Sequence, residues 1–245
     1  MRGVEQIPWL YDAGMVLLEK TGFGRWRSWL TGGVERGCLL DLGCGTGRNL
    51  PLFGSGVRAI GVDPWHPSLV KARRRAPRVP LVCARAEALP FRDGVFDTVV
   101  SGLVFCSVGD VPRGLAEVRR VLKPEGFLRM LEHVRTRGRF ASWLQDRTQP
   151  AWTWITGGCH PNRETEDAVR AAGFVIDEAS YRAQGDMRRF QAARTGDGRP
   201  GGQTSSESSS PLPRGADRRG EGRERQDQEA APRLPRRAVS ARRLV

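Results

Sequence analysis

Residues 39–48 read LLDLGCGTGR: a short apolar run ends on Asp41 and its neighbour Leu42, then passes into three glycines at alternate positions, Gly43, Gly45 and Gly47. Glycine at that density loses more backbone entropy on folding than any other residue, so it marks a sharp turn or a close approach to the main chain. An apolar strand, a glycine turn and a following helix place a ligand at the strand's carboxyl end. The stretch therefore points to an α/β fold around a parallel sheet. The spacing is G-x-G-x-G, whereas the dinucleotide fingerprint G-x-G-x-x-G needs glycine at position 48, which is Arg48.

The next 140 or so residues keep the same rhythm. Apolar runs predict strands over 37–42, 57–62, 79–84, 96–105, 127–134 and 174–181. Helices are predicted within 6–30, from the glycines to about residue 54, after His66 or Ser68 as cap with Pro67 in the first turn, after Asp110 as cap, and over 162–172. The predicted architecture is a doubly wound, mostly parallel sheet with helices on both faces. Residues 138–160 interrupt the rhythm with Trp143, Trp152 and Trp154, and read either as an aromatic wall for an apolar substrate or as a lid on the amino-terminal helices.

Composition changes near residue 191. From Gln191 to Val245 there are 12 arginines, seven acids and five residues that are Leu or Val, with no Ile, Met, Phe, Tyr, Trp or Cys. Such a segment cannot bury enough apolar surface to offset its ordering, so 191–245 is expected to be a disordered Arg/Gly/Ser/Pro-rich tail. Residues 1–190 form the expected domain: roof helices over 1–35, a cofactor core over 37–134 and a substrate side over 138–190. The formal charge is +13, carried by 40 basic residues of which only three are lysine. Five unevenly spaced cysteines without a C-x-x-C fit reduced thiols in a cytoplasmic protein. Neither a leader pattern nor a run of roughly 18–20 apolar residues is present in the sequence.

Asp63 ends the second predicted strand, where a carboxylate can take both hydroxyls of a ribose. Nicotinamide sites share that device, but the glycine spacing and Asp41 favour a cofactor with an amino-acid end, such as S-adenosylmethionine. LLDLGCGTG, GVD (61–63), AEALPF (86–91), FDTVV (96–100) and EVRRVLKPEG (117–126) resemble successive motifs of class I S-adenosylmethionine-dependent methyltransferases. LVFCSV, LEHV and GGCHPNRET resemble the type 11 branch, which includes small-molecule thiol methyltransferases and ubiquinone/menaquinone-type methyltransferases. The resemblance implies that Gly43, Cys44 and Gly45 line the methionine part, with Asp41 near its amino group. Asp63 would bind ribose, Pro64 or Trp65 would pack on adenine, Ala86 and Glu87 would sit at its edge, and Leu103 would close over the sulfonium. Many relatives carry Asp, bonded to the adenine amino group, where this chain has Arg85, which cannot accept that bond.

Methyl transfer from a sulfonium is an in-line displacement that needs alignment, exclusion of water and, where the acceptor carries a proton, a base. His133 and His160 are the catalytic candidates, each with a structural alternative: a hydrogen-bonded core residue and part of a helix start. A metal site of Cys159, His160 and His133 fits no standard spacing and none is expected. The expected function is methyl transfer to a small apolar molecule; the alternatives are a membrane-surface lipid or quinone methyltransferase and a non-catalytic cofactor-binding protein. No specific nucleic-acid partner is expected, because SGLVFC stands where base methylases carry an N/D-P-P-Y/F-like clamp, and the arginine tail has no interleaved aromatics. The fold of this resemblance ends in a seventh strand inserted beside the sixth. RRFQAARTGDGR is a poor strand, so the seventh strand is expected to be missing and the chain from about 191 to derive from a frameshift or an unrelated extension.

Overall fold

The structure is a computed structural model that describes residue 3, residues 7–18 and residues 22–195. The apolar runs form strands where β-branched and leucine-rich segments are bounded by turns: β1 (Gly37–Leu42), β2 (Val57–Asp63), β3 (Leu81–Cys83), β4 (Phe96–Gly102), β5 (Leu122–His133) and β6 (Phe174–Ile176), followed by β7 (Arg182–Gln184) and β8 (Met187–Arg194). They form one sheet in the order β3-β2-β1-β4-β5-β8-β6, with β7 also on β8. The pairs among β1 to β5 are parallel; β8 runs antiparallel to β5, β6 and β7. The expected mostly parallel, doubly wound sheet is the one observed.

Alternation along β1 shows how both faces are covered. Leu40 and Leu42 enter a core with Leu115, Val118 and Val121 of α4 (Val111–Val121) and Val169 of α6 (Thr165–Ala171). Leu39 points the other way, to Leu30 of α2 (Gly24–Thr31), Val100 and Leu131. Asp41 shares that second face, directed at α2. The predicted cap of α4 is present, with Asp110 Oδ1 accepting from Arg113 N–H at 3.0 Å. In α3 (His66–Arg75) Pro67 sits in the first turn, but the residue before it is Trp65, with no side-chain cap from either predicted residue. An ion-pair cluster holds α1 (Pro8–Leu18) near the glycine turn: Asp12 meets Arg75 at 3.1 Å and accepts from Thr46 Oγ1 at 2.7 Å.

Three expectations are corrected. The glycines do not start an α-helix: a turn leads to a single 3-10 segment, Leu50–Leu52, because left-handed backbone at Gly45 and Gly47 cannot continue a right-handed helix. Residues 138–160 are mostly one helix, α5 (Arg139–Thr156), ended by left-handed Gly157, and leave Phe140, Trp143 and Trp154 exposed. The seventh strand is not missing. β8 fills that position, and the domain runs at least to residue 195, past the expected boundary at 190. Its arginines are tolerated because their polar ends are partnered. Arg188, 2% exposed, donates to the carbonyls of Gly185 and Met187, and Arg189 lies over the rings of Trp26 and Trp29. Phe190 and Ala192 fill the core between them. The tail from residue 196 lies outside the described residues.

Candidate functional site

A cavity of about 540 Å3 opens at the carboxyl ends of β1 to β5. Leu42, Asp63, Gly102 and His133 bring four strand ends to its wall, and Ala84 follows the fifth. This is the crevice in which doubly wound folds hold ligands. Of the residues singled out in the sequence, Gly43, Gly45, Asp63, Pro64, Trp65, Ala86, Glu87, Leu103 and His133 line it; Asp41, Cys44 and His160 do not.

The glycine turn has two distinct requirements. A Cβ on Gly43 would lie 2.4 Å from Val104 Cγ2, so this glycine lets the loop after β4 close on the turn. A Cβ on Gly45 would meet nothing nearer than the Gly43 carbonyl oxygen at 4.0 Å, although φ is +52°. Gly45 thus leaves open space at the cavity floor and bare main chain facing it. Asp63 braces that floor: its Oδ2 accepts from Gly45 N–H at 2.9 Å and its Oδ1 from Trp65 N–H at 2.8 Å. Burial raises the Asp63 pKa, and these two N–H groups oppose the shift.

Asp41 is fully buried behind the turn. Its Oδ1 accepts from Asn49 Nδ2 at 3.1 Å, and its Oδ2 has no hydrogen-bond partner. Burial pushes it up to about 7, against the Asn49 bond and the charge of Arg27. Asn49, Arg27 and Arg48 line a small recess of about 30 Å3, which shares Gly43, Thr46, Gly102 and Leu103 with the main cavity. Cys44 also faces this recess; its thiol is buried and held well above the ordinary range by burial and the carboxylates of Asp41 and Asp63.

The opposite rim is shaped by Glu132, fully buried at the end of β5. Its Oε1 accepts from Ser101 Oγ at 2.9 Å, Val104 N–H at 3.0 Å and Phe105 N–H at 3.2 Å. Burial raises its pKa, and those three donors oppose the rise. Glu132 fixes the chain where Leu103 adopts φ +60°, a strained conformation for leucine, with Leu103 N–H bonded to the Leu131 carbonyl. Glu87 has a similar brace role: Oε1 accepts from Gly109 N–H at 3.1 Å and Asp110 N–H at 3.3 Å, and Arg85 pairs with it at 3.4 Å.

His133 is half-buried, and its Nδ1 lies 3.9 Å from Cys159 Sγ. Cys159 is pushed down to about 5 by its hydrogen bond with Cys106 and by His133, against burial; His133 is raised because Cys159 and the Asp186 charge outweigh burial. His160 takes a different place. Its Nδ1 meets the Gly158 carbonyl at 2.7 Å and its N–H donates to the Cys106 carbonyl at 2.7 Å, so it ties the turn after α5 to the loop after β4. Sequence reasoning missed Cys106 and Ser107 on the cavity wall and the Arg27–Arg48–Asn49 recess. The one local sign was LVFCSV directly after a strand end.

Residues 40–130 match the family described as "Methyltransferase domain". Human thiol S-methyltransferase TMT1B is 38% identical over 153 residues, 59% of this chain and 63% of the relative. The demethylmenaquinone methyltransferase of Symbiobacterium thermophilum is 38% identical over 112 residues, 42% of this chain and 45% of the relative. The chain thus spans less than two thirds of these curated relatives. A SAM-dependent methyltransferase structure from Thermotoga maritima has a TM-score of 0.61 at 20% identity, covering 78% of this chain and 97% of that one. The [4+2]-cyclase SpnF has a TM-score of 0.57 at 18% identity over 78% and 97%. Likeness at that level shows the fold alone, and the cyclase illustrates why function has to be argued from the site.

Proposed function

We propose that this chain, whose residues 40–130 form a methyltransferase domain, transfers the methyl group of S-adenosylmethionine to the thiol of a small, largely apolar molecule. One observation carries the reading: bare main chain at Gly43 and Gly45, braced by Asp63, forms one side of a cavity whose other side carries His133. In this reading the adenosine lies between Asp63, Pro64, Trp65, Ala86 and Glu87, with Asp63 on the ribose hydroxyls. The methionine part follows Gly43, Cys44 and Gly45 into the recess, its carboxylate toward Arg27 and Arg48 and its ammonium toward the unpartnered oxygen of Asp41. Arg85 cannot accept from the adenine amino group, so adenine is held by packing and by main chain at Ala86.

The sulfonium is already a good leaving group, so the residues here align it and keep water out. Leu103, Val104 and Val108 supply an apolar wall beside it. A thiol acceptor must lose its proton before attack, and His133 is the titratable side chain on the acceptor side of the wall. The thiol assignment is supported by the relatives named thiol S-methyltransferase; the relatives named for menaquinone support a quinol as the second acceptor class. Among the described residues no helix is long and apolar enough to cross a membrane.

The test is calorimetric titration of the purified chain with S-adenosylmethionine and, separately, NAD, followed by transfer of a labelled methyl group to a panel of alkyl thiols and quinols. Saturable binding of the sulfonium donor alone, with a labelled thioether as product, is expected. Uptake of NAD instead refutes the cofactor; labelled quinol without thioether moves the acceptor to the second class.

A further inference from the structure

Three soft donors converge at the back of the cavity. The sulfurs of Cys106 and Cys159 and a ring nitrogen of His133 all lie within 4.8 Å of one another. They come from three separate elements: the loop after β4, the carboxyl end of β5 and the turn after α5. Both cysteines are 1% exposed and neither is in a disulfide. We propose that Cys106, His133 and Cys159 bind one soft divalent cation of the zinc class, with a fourth coordination position open to the cavity.

The geometry supports this directly. Zinc bonds of about 2.3 Å to sulfur and about 2.0 Å to nitrogen give tetrahedral edges of roughly 3.5–3.8 Å between ligand atoms. The Cys159 Sγ to His133 Nδ1 distance is 3.9 Å, and the 4.8 Å limit on the set asks for a contraction of about an ångström at most. The backbone is already fixed for it. His160 N–H bonds the Cys106 carbonyl, Thr153 Oγ1 bonds the Cys159 carbonyl at 2.8 Å, and Thr156 Oγ1 accepts from Cys159 N–H at 3.2 Å. Arg163 Nη1 donates to the carbonyls of Phe105 and Val108, both at 2.6 Å, clamping the loop on either side of Cys106. Two thiolates and an imidazole are a zinc ligand set, and three protein ligands with an open position are the pattern of a reactive rather than a structural site. Cys106 and His133 both line the cavity, so the open position faces the acceptor. The trio weighed and set aside in the sequence contained His160, which belongs to the supporting frame, and lacked Cys106.

The catalytic role of the site rests on the thiol-methylation reading. An acceptor thiol binding at the fourth position releases its proton to solvent and stays as a metal-bound thiolate. A sulfur lone pair attacks the methyl carbon, the carbon–sulfonium bond breaks, and its electron pair remains on the departing sulfur, giving neutral S-adenosylhomocysteine. The product is a neutral thioether, a weaker ligand than the thiolate, and it leaves the metal. With the metal bound, the cation takes over the role that His133 has as a base in the metal-free site.

The full chain, prepared reduced and metal-free, is titrated with zinc against a chromophoric chelator and with cobalt(II) by absorption. One metal per chain and a thiolate-to-cobalt charge-transfer band are expected. Cys159→Ser and Cys106→Ser should weaken zinc by at least about a hundredfold, while Cys38→Ser should not. His133→Asn serves as a second ligand variant should a serine variant melt without a cooperative transition. Wild-type chain that takes up no stoichiometric zinc, or that binds it no tighter than Cys159→Ser and His133→Asn, overturns the site. So does a Cys106–Cys159 disulfide that forms under saturating zinc. Calorimetry with S-adenosylmethionine on the metal-free chain separates the two readings: cofactor binding without a zinc site leaves methyl transfer standing, and zinc without cofactor binding leaves the metal site standing.

Discussion

Asp41 gives the cofactor reading a quantitative consequence. Its carboxyl is fully buried, has one unpartnered oxygen and is pushed up to about 7 by burial. The neutral acid is a poor acceptor for an ammonium group, so a cofactor ammonium at this position needs the ionised form. With a pKa near 7, about 3% of Asp41 is ionised at pH 5.5 and about half at pH 7.0. Over that range the ligand's own ammonium stays protonated. The binding constant for S-adenosylmethionine should therefore rise about fifteenfold, equivalent to about 1.6 kcal/mol.

Calorimetry at fixed ionic strength between these two pH values reads the slope, and the same slope is expected for S-adenosylhomocysteine, which shares the amino-acid end and lacks the sulfonium charge. Asp41→Asn should flatten it and leave the weak affinity of the acid limb. The unliganded chain should show the complementary effect on stability. The folded state holds the Asp41 proton more tightly than the unfolded chain does. That contribution is full below about pH 4 and is lost as pH rises through about 7. A cofactor affinity that is flat from pH 5.5 to 7.0 in the wild type, or a slope that persists undiminished in Asp41→Asn, refutes the placement of the ammonium at Asp41.

Gly45→Ala should fold, because its Cβ meets open space, with about 1 kcal/mol of left-handed backbone strain, but should weaken cofactor binding about tenfold or more, measured by melting and calorimetry together. Gly43→Ala should instead show its main loss in melting temperature, since Val104 blocks the new Cβ. Glu132→Ala leaves the Ser101, Val104 and Phe105 donors without their acceptor and should cost about 3 kcal/mol in urea unfolding, while Glu132→Gln retains the acceptor and most of the stability. Phe190→Ala, in a side chain with no exposure, should cost about 3–5 kcal/mol; a loss under about 1 kcal/mol would mean that β8 is not a core strand.

Legibility in this chain followed the physics of each signal. The first two strands and the turn between them were readable because burial on both faces forces unbroken apolar runs, and because the left-handed backbone at Gly43 and Gly45 favours glycine over any other residue. Of the nine cavity-lining residues singled out in advance, Gly43, Gly45, Asp63 and His133 were marked by the ends of predicted strands, whereas Pro64, Trp65, Ala86, Glu87 and Leu103 came from the family resemblance. β8 was not readable for the opposite reason. A periodicity argument treats arginine as a solvent-facing residue, yet Arg188 is buried with its Nε 3.8 Å from the Glu166 carboxylate of α6, and Arg189 is shielded by two tryptophans from α2. Neither partner is adjacent to the strand in a way that a local window detects. The Cys106–His133–Cys159 cluster shows the same limit at the site. Its members lie on three elements, His133 and Cys159 being 26 positions apart, and metal-ligand spacing rules hold only where ligands share a turn or a helix face. Sequence patterns thus report contacts made within one element or between strands of one sheet. Chemistry assembled where separate loops meet becomes visible only once the order of the strands has brought those loops together.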